Sequence, residues 1–184
     1  MDLLTRAIIF ATKKHEGQTR KGKDTPYIVH PLEALSIAST VTDNEAVLSA
    51  AVLHDVVEDC FVSLNEVKRR FGEEVMLLVA ADTENKRSNI PSKDSWTIRK
   101  QETLDDITKM DKNCKIVVLS DKLSNMRAIT RDYRKMGDNL WQVFNCKDKD
   151  KQAWYYKRIA ELLKDDLGYT DAYTEYCELL KIVF

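Results

Sequence analysis

A histidine and three acids follow an apolar segment in the first half of the chain. The run 46–53, Ala-Val-Leu-Ser-Ala-Ala-Val-Leu, precedes His54, Asp55, Glu58 and Asp59. A helix that is apolar on all sides is normally buried, and an ionised carboxylate is rarely buried without a partner. At about 100° per residue the four side chains share one face of a helix. A divalent metal bound by His54 and Asp55, with two acids beside it, would explain this group; a solvated helix end with surface acids is the simpler alternative.

The start signals of two helices bear on a second histidine as a candidate ligand. Thr42 and Glu45 form a T-x-x-E pattern, which predicts a capping box at the start of the central helix. Pro31 is typical of the first residue of a helix, so we expect His30 at or near the N-cap, a fixed backbone position that suits a metal ligand. Alone, His30 would more often be structural; paired with His54 it is a candidate ligand.

A further acid lies beside the apolar stripe of the longest predicted helix. Asp121 and Asn125 are spaced one turn apart, next to the core positions. An acid there needs a partner, and a metal is one. Four ligands could therefore converge, two imidazoles and two carboxylates: His30, His54, Asp55 and Asp121. This donor set suits Mn, Fe, Co or Zn better than Mg or Ca, and its open positions would admit water and a phosphate oxygen, the requirements of metal-assisted phosphoester hydrolysis.

The elements that carry these residues are predicted to be helical. Apolar side chains recur at helical spacing through most of the chain, and no segment shows the sustained alternation of a strand. The pattern predicts helices over 4–16, from 31, 42–59, 64–71, 73–81, from Ser95 to 107, from Asn113 to 129, 152–167 and 170–183, with a polar loop over 83–95. Residues 117–119 could form a short strand by propensity alone. The fold class expected is all-α, a compact multi-helix bundle around one metal site.

Composition excludes several classes of protein. The chain has 184 residues, a formal net charge of -1, and 43% hydrophobic residues, as expected for one globular domain without a global attraction to nucleic acid or anionic membrane. The four cysteines are far apart and form no C-x-x-C pair, so reduced thiols in a cytoplasm are the expectation. No stretch approaches the ~18 apolar residues of a membrane span.

Read in order, the motifs cover nearly the whole chain. They are Ala11-x3-His15-x-Gly17-Gln18-x-Arg20-Lys21-Gly22, Thr25-Pro26-Tyr27-Ile28-x-His30-Pro31, His54-Asp55-x-x-Glu58-Asp59, Phe71-Gly72, Arg99-Lys100, Asp121-Lys122-Leu123-x-Asn125-Met126-Arg127, Trp141-x-x-Phe144-Asn145 and Trp154-Tyr155-Tyr156. This ordered set resembles the RelA/SpoT-type hydrolase domain of the HD metal phosphohydrolase superfamily. H…HD…D alone would be a much less specific signature.

The resemblance implies an activity and a role for each motif residue. In that family an all-α domain uses Mn²⁺ to remove the 3′-pyrophosphate of the alarmones ppGpp and pppGpp, which leaves GDP or GTP. The implied metal ligands are His30, His54, Asp55 and Asp121. The implied proton-transfer groups are Glu58 and Asp59, and the implied nucleotide contacts are Arg20, Lys21 and Asn125. Position 128 often carries a hydroxyl in the bifunctional enzymes and is Ala128 here, so one substrate hydrogen bond would be missing.

The resemblance also leads to expectations about the domain organisation of the chain and its location in the cell. Residues 1–184 are expected to form a single HD hydrolase domain, a small alarmone hydrolase of the cytoplasm. Its partner would be a small-molecule guanine nucleotide, with no nucleic acid and no membrane. Two alternatives stay open: an HD phosphohydrolase for another nucleotide, and a silent module that binds alarmone without cleaving it. The basic pairs Arg20-Lys21 and Arg99-Lys100 favour a substrate with many phosphates but do not identify its base.

Overall fold

The described chain is helical. The structure, a computed structural model, describes residues 1–84 and 89–184, with the backbone alone at residues 92 and 93. Its helices are α1 Leu3–Lys14, α2 Val29–Ala38, α3 Glu45–Leu53, α4 Val56–Asp59, α5 Leu64–Phe71, α6 Glu73–Asp82, α7 Ser92–Ile107, α8 Lys112–Met136, α9 Lys149–Leu167 and α10 Asp171–Val183. A 3₁₀ segment, Gly137–Val143, follows α8. The described ranges contain no β-strand, only one isolated bridge between Thr19 and Pro26, and residues 117–119 are helical. The prediction of an all-α fold is confirmed.

The longest helix, α8, forms the axis of the bundle. It packs against α2, α3, α6, α9 and α10, while α1 packs on the outer side of α3. The apolar stripe predicted for α8 is buried as expected, at Ile116, Leu119, Leu123, Met126 and Ile129. The neighbouring row of α8, which includes Asp121, is therefore held next to α2 and α3. None of the helices in the described part of the chain is both long and apolar enough to cross a membrane.

The start of α3 differs from the predicted capping box. Asn44, not Thr42, is the N-cap: its Oδ1 accepts from the backbone N–H groups of Ala46 at 2.9 Å and Val47 at 3.4 Å. The Glu45 carboxylate does not reach back to the cap but accepts the N–H of Leu4, at the start of α1. Asn is as strong a cap as Ser or Asp, and it stands closer to the apolar run than Thr42 does.

Four other helix starts, by contrast, were predicted a few residues too late. The helix α2 begins at Val29, so His30 lies inside the first turn and is not the N-cap. Ser95 and Asn113 lie inside α7 and α8, and α9 begins at Lys149 instead of residue 152. Apolar spacing marks where a helix becomes buried, and the first turns of α7, α8 and α9 are mostly polar, so the spacing misses them. The start of α2 was predicted at Pro31 from the preference of proline for the first helical position. The loop predicted over 83–95 shortens accordingly, and its residues 85–88 lie outside the described residues.

The corrected cap gives a stability prediction. Replacing Asn44 with alanine removes the acceptor of two orphan N–H groups at the start of α3, so the free energy of unfolding should fall by about 1 kcal/mol. The neighbouring Asp43 is exposed, and Asp43→Ala should change stability by no more than about 0.5 kcal/mol. Urea unfolding of both variants measures the difference. Equal losses in the two variants would contradict the assignment of Asn44 as the cap.

Candidate metal centre

The histidine–aspartate pair lies in a break between two helices. The helix α3 ends at Leu53, His54 and Asp55 form a turn, and α4 begins at Val56. The prediction of one continuous helix through this stretch is wrong at these two residues. The ψ angle of Asp55 is -7°, far from the value of about -42° in an α-helix, which interrupts the ladder of backbone hydrogen bonds. The break allows both side chains to face α2 and α8.

Four side chains from three parts of the chain meet at this turn. The Nε2 atoms of His30 and His54 are 3.2 Å apart. Asp121 Oδ1 lies 3.0 Å from His30 Nε2 and 3.6 Å from His54 Nε2. Asp55 Oδ2 lies 3.5 Å and 2.9 Å from the same two nitrogens. The donor atoms of His30, His54 and Asp121 are all within 4.8 Å of one another, and all three residues are buried. The structure thus brings together the four residues predicted as ligands.

Hydrogen bonds on the outer side of each ring determine where the imidazole protons are. His54 Nδ1 is 2.8 Å from the carbonyl oxygen of Ala51, which can only accept, so Nδ1 carries the proton. His30 Nδ1 is 2.8 Å from Ser124 Oγ, and that hydroxyl donates its own proton to Glu33 Oε2 at 2.7 Å. Ser124 Oγ must therefore accept from His30 Nδ1. In their neutral forms both rings turn an Nε2 lone pair toward the cluster.

Such a group of donors calls for a cation among them. Two lone pairs and two carboxylate oxygens that face one another at 2.9 to 3.6 Å repel. With ligand bonds of about 2.1 Å, adjacent donors around an octahedral ion are separated by about 3.0 Å. The chemistry and the spacing of the donors therefore fit a divalent metal, and His30, His54, Asp55 and Asp121 are the residues that would hold it.

The pKa values of the cluster residues also indicate that positive charge is needed among them. Burial lowers the pKa of His30, because a charged imidazole would lose its hydration. Burial opposes the charge on His54 as well, but the carboxylates of Asp55 and Asp121 outweigh it and raise the pKa of His54 well above its usual value. Burial works against ionisation of Asp121 too, yet Lys122 and the two histidines hold its pKa well below the usual range. Burial opposes ionisation of Asp55 as well, but its pKa is lowered, mainly by His54, so both carboxylates are ionised. They require positive charge beside them, which a protonated His54 supplies in the metal-free cluster and a bound metal would supply in its place.

Polar neighbours fix the orientation of both carboxylates. The Tyr27 hydroxyl donates to Asp55 Oδ2 at 2.8 Å, and Asn125 Nδ2 donates to Asp121 Oδ1 at 2.6 Å. The other oxygen of Asp121, Oδ2, contacts the buried ammonium of Lys122. Contacts of this kind hold metal ligands in place and tune their basicity.

The two acids predicted to be catalytic lie on α4, the single turn that follows Asp55. Glu58 Oε1 accepts the backbone N–H of Glu84 at 2.5 Å. The backbone carbonyl of Asp59 accepts from Gln18 Nε2 at 3.0 Å. The compact group of donor atoms found in the described residues comprises His30, His54 and Asp121, and Asp55 lies beside it, 2.9 Å from His54 Nε2. Glu58 and Asp59 are not in this group; they follow the cluster in the chain, and each is tied to another segment.

The predicted nucleotide contacts line a cavity of about 290 Å³. Arg20, Lys21, Tyr27 and Asn125 form part of its wall. Arg20 Nη2 donates to Asn125 Oδ1 at 2.9 Å, and its guanidinium lies 5.4 Å from the centre of the Tyr27 ring. Because Asn125 also donates to Asp121, a chain of hydrogen bonds runs from the cavity to the donor cluster.

A second cavity, of about 240 Å³, adjoins the first and shares Lys21 with it. Lys21 Nζ donates to Asn145 Oδ1 at 2.9 Å. The basic pair Arg99-Lys100 also lines this second cavity. The structure thus places the two basic pairs of the sequence around adjoining cavities, as a substrate with several phosphates would require.

The family of the chain follows from a comparison with known proteins. Residues 7–146 match the HD domain family, a range that includes every candidate ligand. The chain belongs to the HD-domain family. This HD domain also has named relatives, which extend the resemblance noted in the sequence.

Two of these relatives are close enough to compare in detail. Over 133 residues the chain is 38% identical to the guanosine-3′,5′-bis(diphosphate) 3′-pyrophosphohydrolase MESH1 of Xenopus tropicalis, and the match covers 70% of each protein. Over 127 residues it is 34% identical to the GTP pyrophosphokinase rsh of Brucella melitensis, of whose length it spans only 17%. The resemblance to RelA/SpoT-type hydrolase domains is therefore confirmed.

Solved structures agree with these sequence matches. One is described as a metazoan ortholog of SpoT that hydrolyses ppGpp; it superposes on this HD domain with a TM-score of 0.79 and 26% identity, covering 98% of this chain and 95% of that one. Another, the protein lmo0812 of Listeria monocytogenes, has a TM-score of 0.74 and 29% identity, covering 88% of this chain and 99% of that one.

Several residues of this HD domain contribute to the site although no role was predicted for them. Tyr27 and Lys122 belong to motifs shared with RelA/SpoT-type hydrolase domains, and Lys122 follows Asp121 directly, so their positions carried a signal. Ser124 and Glu33 orient His30 through a contact between residues 91 positions apart, for which no local pattern exists. Glu84, which reaches Glu58, stands in a polar segment where an acid is ordinary.

Proposed function

We propose that this HD domain hydrolyses the 3′-pyrophosphate of ppGpp and pppGpp to give GDP or GTP and pyrophosphate. The observation that carries the proposal is the cluster in which the Nε2 lone pairs of His30 and His54 face each other at 3.2 Å beside two carboxylates. The names of the MESH1 relative and of the metazoan SpoT ortholog support the choice of substrate.

The proposal assigns a role to each group of residues. His30, His54, Asp55 and Asp121 would hold the metal, for which we propose Mn²⁺ because the donor set mixes imidazole and carboxylate. A metal bound there would lower the pKa of a coordinated water and polarise a phosphoryl oxygen.

The other residues of the site act on the substrate. Arg20, Lys21 and Asn125 would bind and orient the nucleotide in the cavity of about 290 Å³. Glu58 and Asp59 would take a proton from the attacking water and give one to the departing 3′-oxygen.

Turnover of a nucleotide panel tests the proposal. The purified protein is incubated with ppGpp, pppGpp, GTP, ATP and ADP, with Mn²⁺ or with a chelator, and release of pyrophosphate is measured. We expect turnover of ppGpp and pppGpp with Mn²⁺ only. Binding of ppGpp without release of product would identify a silent alarmone-binding module instead.

Hydrolysis of another nucleotide is the second candidate function. Ala128 lines the same cavity as Arg20 and Asn125 and has no polar group to offer a substrate. Preferential turnover of an adenine nucleotide in the panel would favour this candidate. The metal cluster and the two acids would serve either substrate equally well.

We propose further that residues 1–184 act as a single HD hydrolase domain in the cytoplasm. The four cysteines are free, which suits a reducing compartment. A small-molecule guanine nucleotide is the partner that the cavities and their basic residues support. The net charge of -1 provides no general attraction to nucleic acid or anionic lipid.

The role of Arg20 is open to a direct test. Arg20→Ala should raise the Michaelis constant for ppGpp by about 10-fold at low salt, because a charge-assisted contact to phosphate is lost. The effect should shrink at high salt, since exposed charges are screened. Lys23 is the matched control: it borders the same cavity, but its ammonium is neutralised by Asp132 at 2.6 Å. An unchanged Michaelis constant in Arg20→Ala, or an equal rise in Lys23→Ala, would show that Arg20 does not bind substrate.

A further inference from the structure

Glu84 joins three segments of the chain next to the proposed catalytic acids. It lies two residues after the end of α6. Its backbone N–H donates to Glu58 Oε1 at 2.5 Å. Its own carboxylate bonds three donors on α7: Arg99 Nη1 at 2.6 Å, Lys100 Nζ, and Thr103 Oγ1 at 3.3 Å. Glu84 therefore connects α4 to α7 with its backbone on one side and its side chain on the other.

The side-chain end of this connection is a partly buried ion cluster. The exposed fraction is 13% for the Glu84 side chain, 12% for Arg99 and 18% for Lys100. Burial would raise the pKa of Glu84, but Lys100, Lys122 and Arg99 together outweigh it and lower that pKa, so the carboxylate is ionised. Lys100 is fixed further by the face of Tyr155, whose ring centre is 4.6 Å from Nζ. A carboxylate with three donors in such surroundings has little freedom to move, and this restricts the backbone of residue 84.

The backbone N–H of Glu84 contacts α4, a helix too short to be stable by itself. A helix of a single turn has little intrinsic stability, and α4 contains only Val56–Asp59. Its acids therefore depend on contacts with neighbouring segments for their orientation. One such contact is the bond from Gln18 to the Asp59 carbonyl. Another contact reaches an acid side chain of α4 directly, because the Glu84 N–H donates to Glu58 Oε1.

We propose that Glu84 is a positioning residue for Glu58. Its carboxylate is anchored on α7, and the anchored backbone holds one oxygen of Glu58, so that this acid meets the substrate in one orientation. The inference rests on the proposed function, because it assumes that Glu58 transfers a proton. The proposal also gives the Arg99-Lys100 pair a second role besides attracting a charged substrate: the two cations hold the Glu84 carboxylate in place.

A double-mutant cycle separates positioning from general stability. Glu84→Gln keeps the shape of the side chain but removes its charge, so kcat for ppGpp should fall by about 10-fold, a fraction of what an acid–base group contributes, with the Michaelis constant within about 3-fold. In a Glu58→Gln background the same change should cost less than about 2-fold, because an amide transfers no proton and its position no longer matters. Metal content should not change in any of these variants.

Two further variants serve as fallback and control. If Glu84→Gln fails to fold, Glu84→Asp keeps the charge between the two cations but shortens the reach, and it should lower kcat by about 3-fold in the wild-type background only. Asp166 on α9 pairs with Lys115 on α8 at 2.5 Å, and neither residue lines the two cavities of the site. Asp166→Asn should leave kcat unchanged, which controls for the loss of an ion pair as such.

Hydrogen exchange tests the geometry without any substrate. The Glu84 amide should exchange about 10-fold faster in Glu58→Ala, which removes its acceptor, and also in Glu84→Gln, which releases its anchor. Equal exchange in all three proteins would overturn the inference, as would an equal fractional loss of kcat in both backgrounds or a change confined to the Michaelis constant. A wild-type protein that does not turn over ppGpp would instead refute the proposed function, and the exchange rates would still decide the role of Glu84.

Discussion

Replacing Glu58 with glutamine should slow turnover of ppGpp by about 10²- to 10⁴-fold, the usual contribution of a positioned acid–base group. Glutamine has nearly the same shape and can still accept the N–H of Glu84, which reaches Oε1 at 2.5 Å in the wild type. The fold and the cluster of His30, His54, Asp55 and Asp121 should therefore persist. What the variant loses is the capacity to bind and release a proton.

Asp59→Asn should produce a similar or somewhat smaller loss of turnover, of about the same order. Both acids lie on α4, and the geometry does not favour either as the group nearer to the attacking water. If one acid takes the proton and the other gives it, the pH profile of kcat should lose a different limb in each variant.

Metal content and turnover must be measured on the same sample. The expected result is one metal per chain and a rate reduced by about 10²-fold or more in Glu58→Gln. Near wild-type turnover in both Glu58→Gln and Asp59→Asn would eliminate the proposed mechanism. Loss of metal together with activity would mean that the acids are ligands, and the site would then hold six protein donors and no position for water.

Much of the fold was predictable because it depends on local patterns. The spacing of nearby apolar residues predicts the buried stripe of α8. The local sequence also predicts the helix over 64–71, whose first turn is capped by Ser63: its Oγ accepts the Glu66 N–H at 3.1 Å. The helix start at Lys149 was missed because a polar first turn carries no apolar signal. The start at Val29 was missed because the preference of proline for the first helical position pointed to Pro31. The break at His54 and Asp55 was missed because it arises from contacts with α2 and α8, not from a glycine or a proline.

The candidate site was predictable to the extent that charge must be compensated. A buried acid needs a partner that compensates its charge, so acids predicted to be buried beside histidines, among them Asp55 and Asp121, stood out from sequence alone. The residues that orient these ligands could not be identified from the sequence. Glu33 lies far from Ser124 in the chain, and Glu84 reaches Glu58 through a backbone N–H, a group that every residue except proline has. The identity of a residue therefore does not predict such a contact.

Replacing Asp121 with asparagine should abolish metal binding. Asp121 Oδ1 lies 3.0 Å from His30 Nε2 and 3.6 Å from His54 Nε2, so it is central to the donor cluster, and an amide is a much poorer ligand than a carboxylate. The wild-type protein should bind one divalent metal per chain. At 100 times the dissociation constant, Mn²⁺ should raise its free energy of unfolding by about 2.7 kcal/mol, and in Asp121→Asn this increment should disappear.

A second effect of the substitution must be separated from the first. Asp121 Oδ2 contacts the buried ammonium of Lys122, and removing one partner of a buried pair typically costs about 3 to 5 kcal/mol. The metal-free variant should therefore already be less stable than the metal-free wild type. The increment on addition of Mn²⁺, not the absolute stability, reports on the metal site.

Asp82 supplies the matched control for this experiment. Its Oδ1 lies 3.8 Å from Lys122 Nζ, and burial raises its pKa to about 6, so it is mostly ionised at neutral pH. Asp82→Asn also removes a negative charge beside Lys122 but leaves every atom of the donor cluster in place. This variant should therefore still bind the metal and show the full Mn²⁺ increment in its free energy of unfolding. Elemental analysis and thermal unfolding of both variants decide the matter. Full metal occupancy in Asp121→Asn would mean that the ion binds elsewhere, whereas loss of metal in both variants would mean that Lys122, not Asp121, maintains the site.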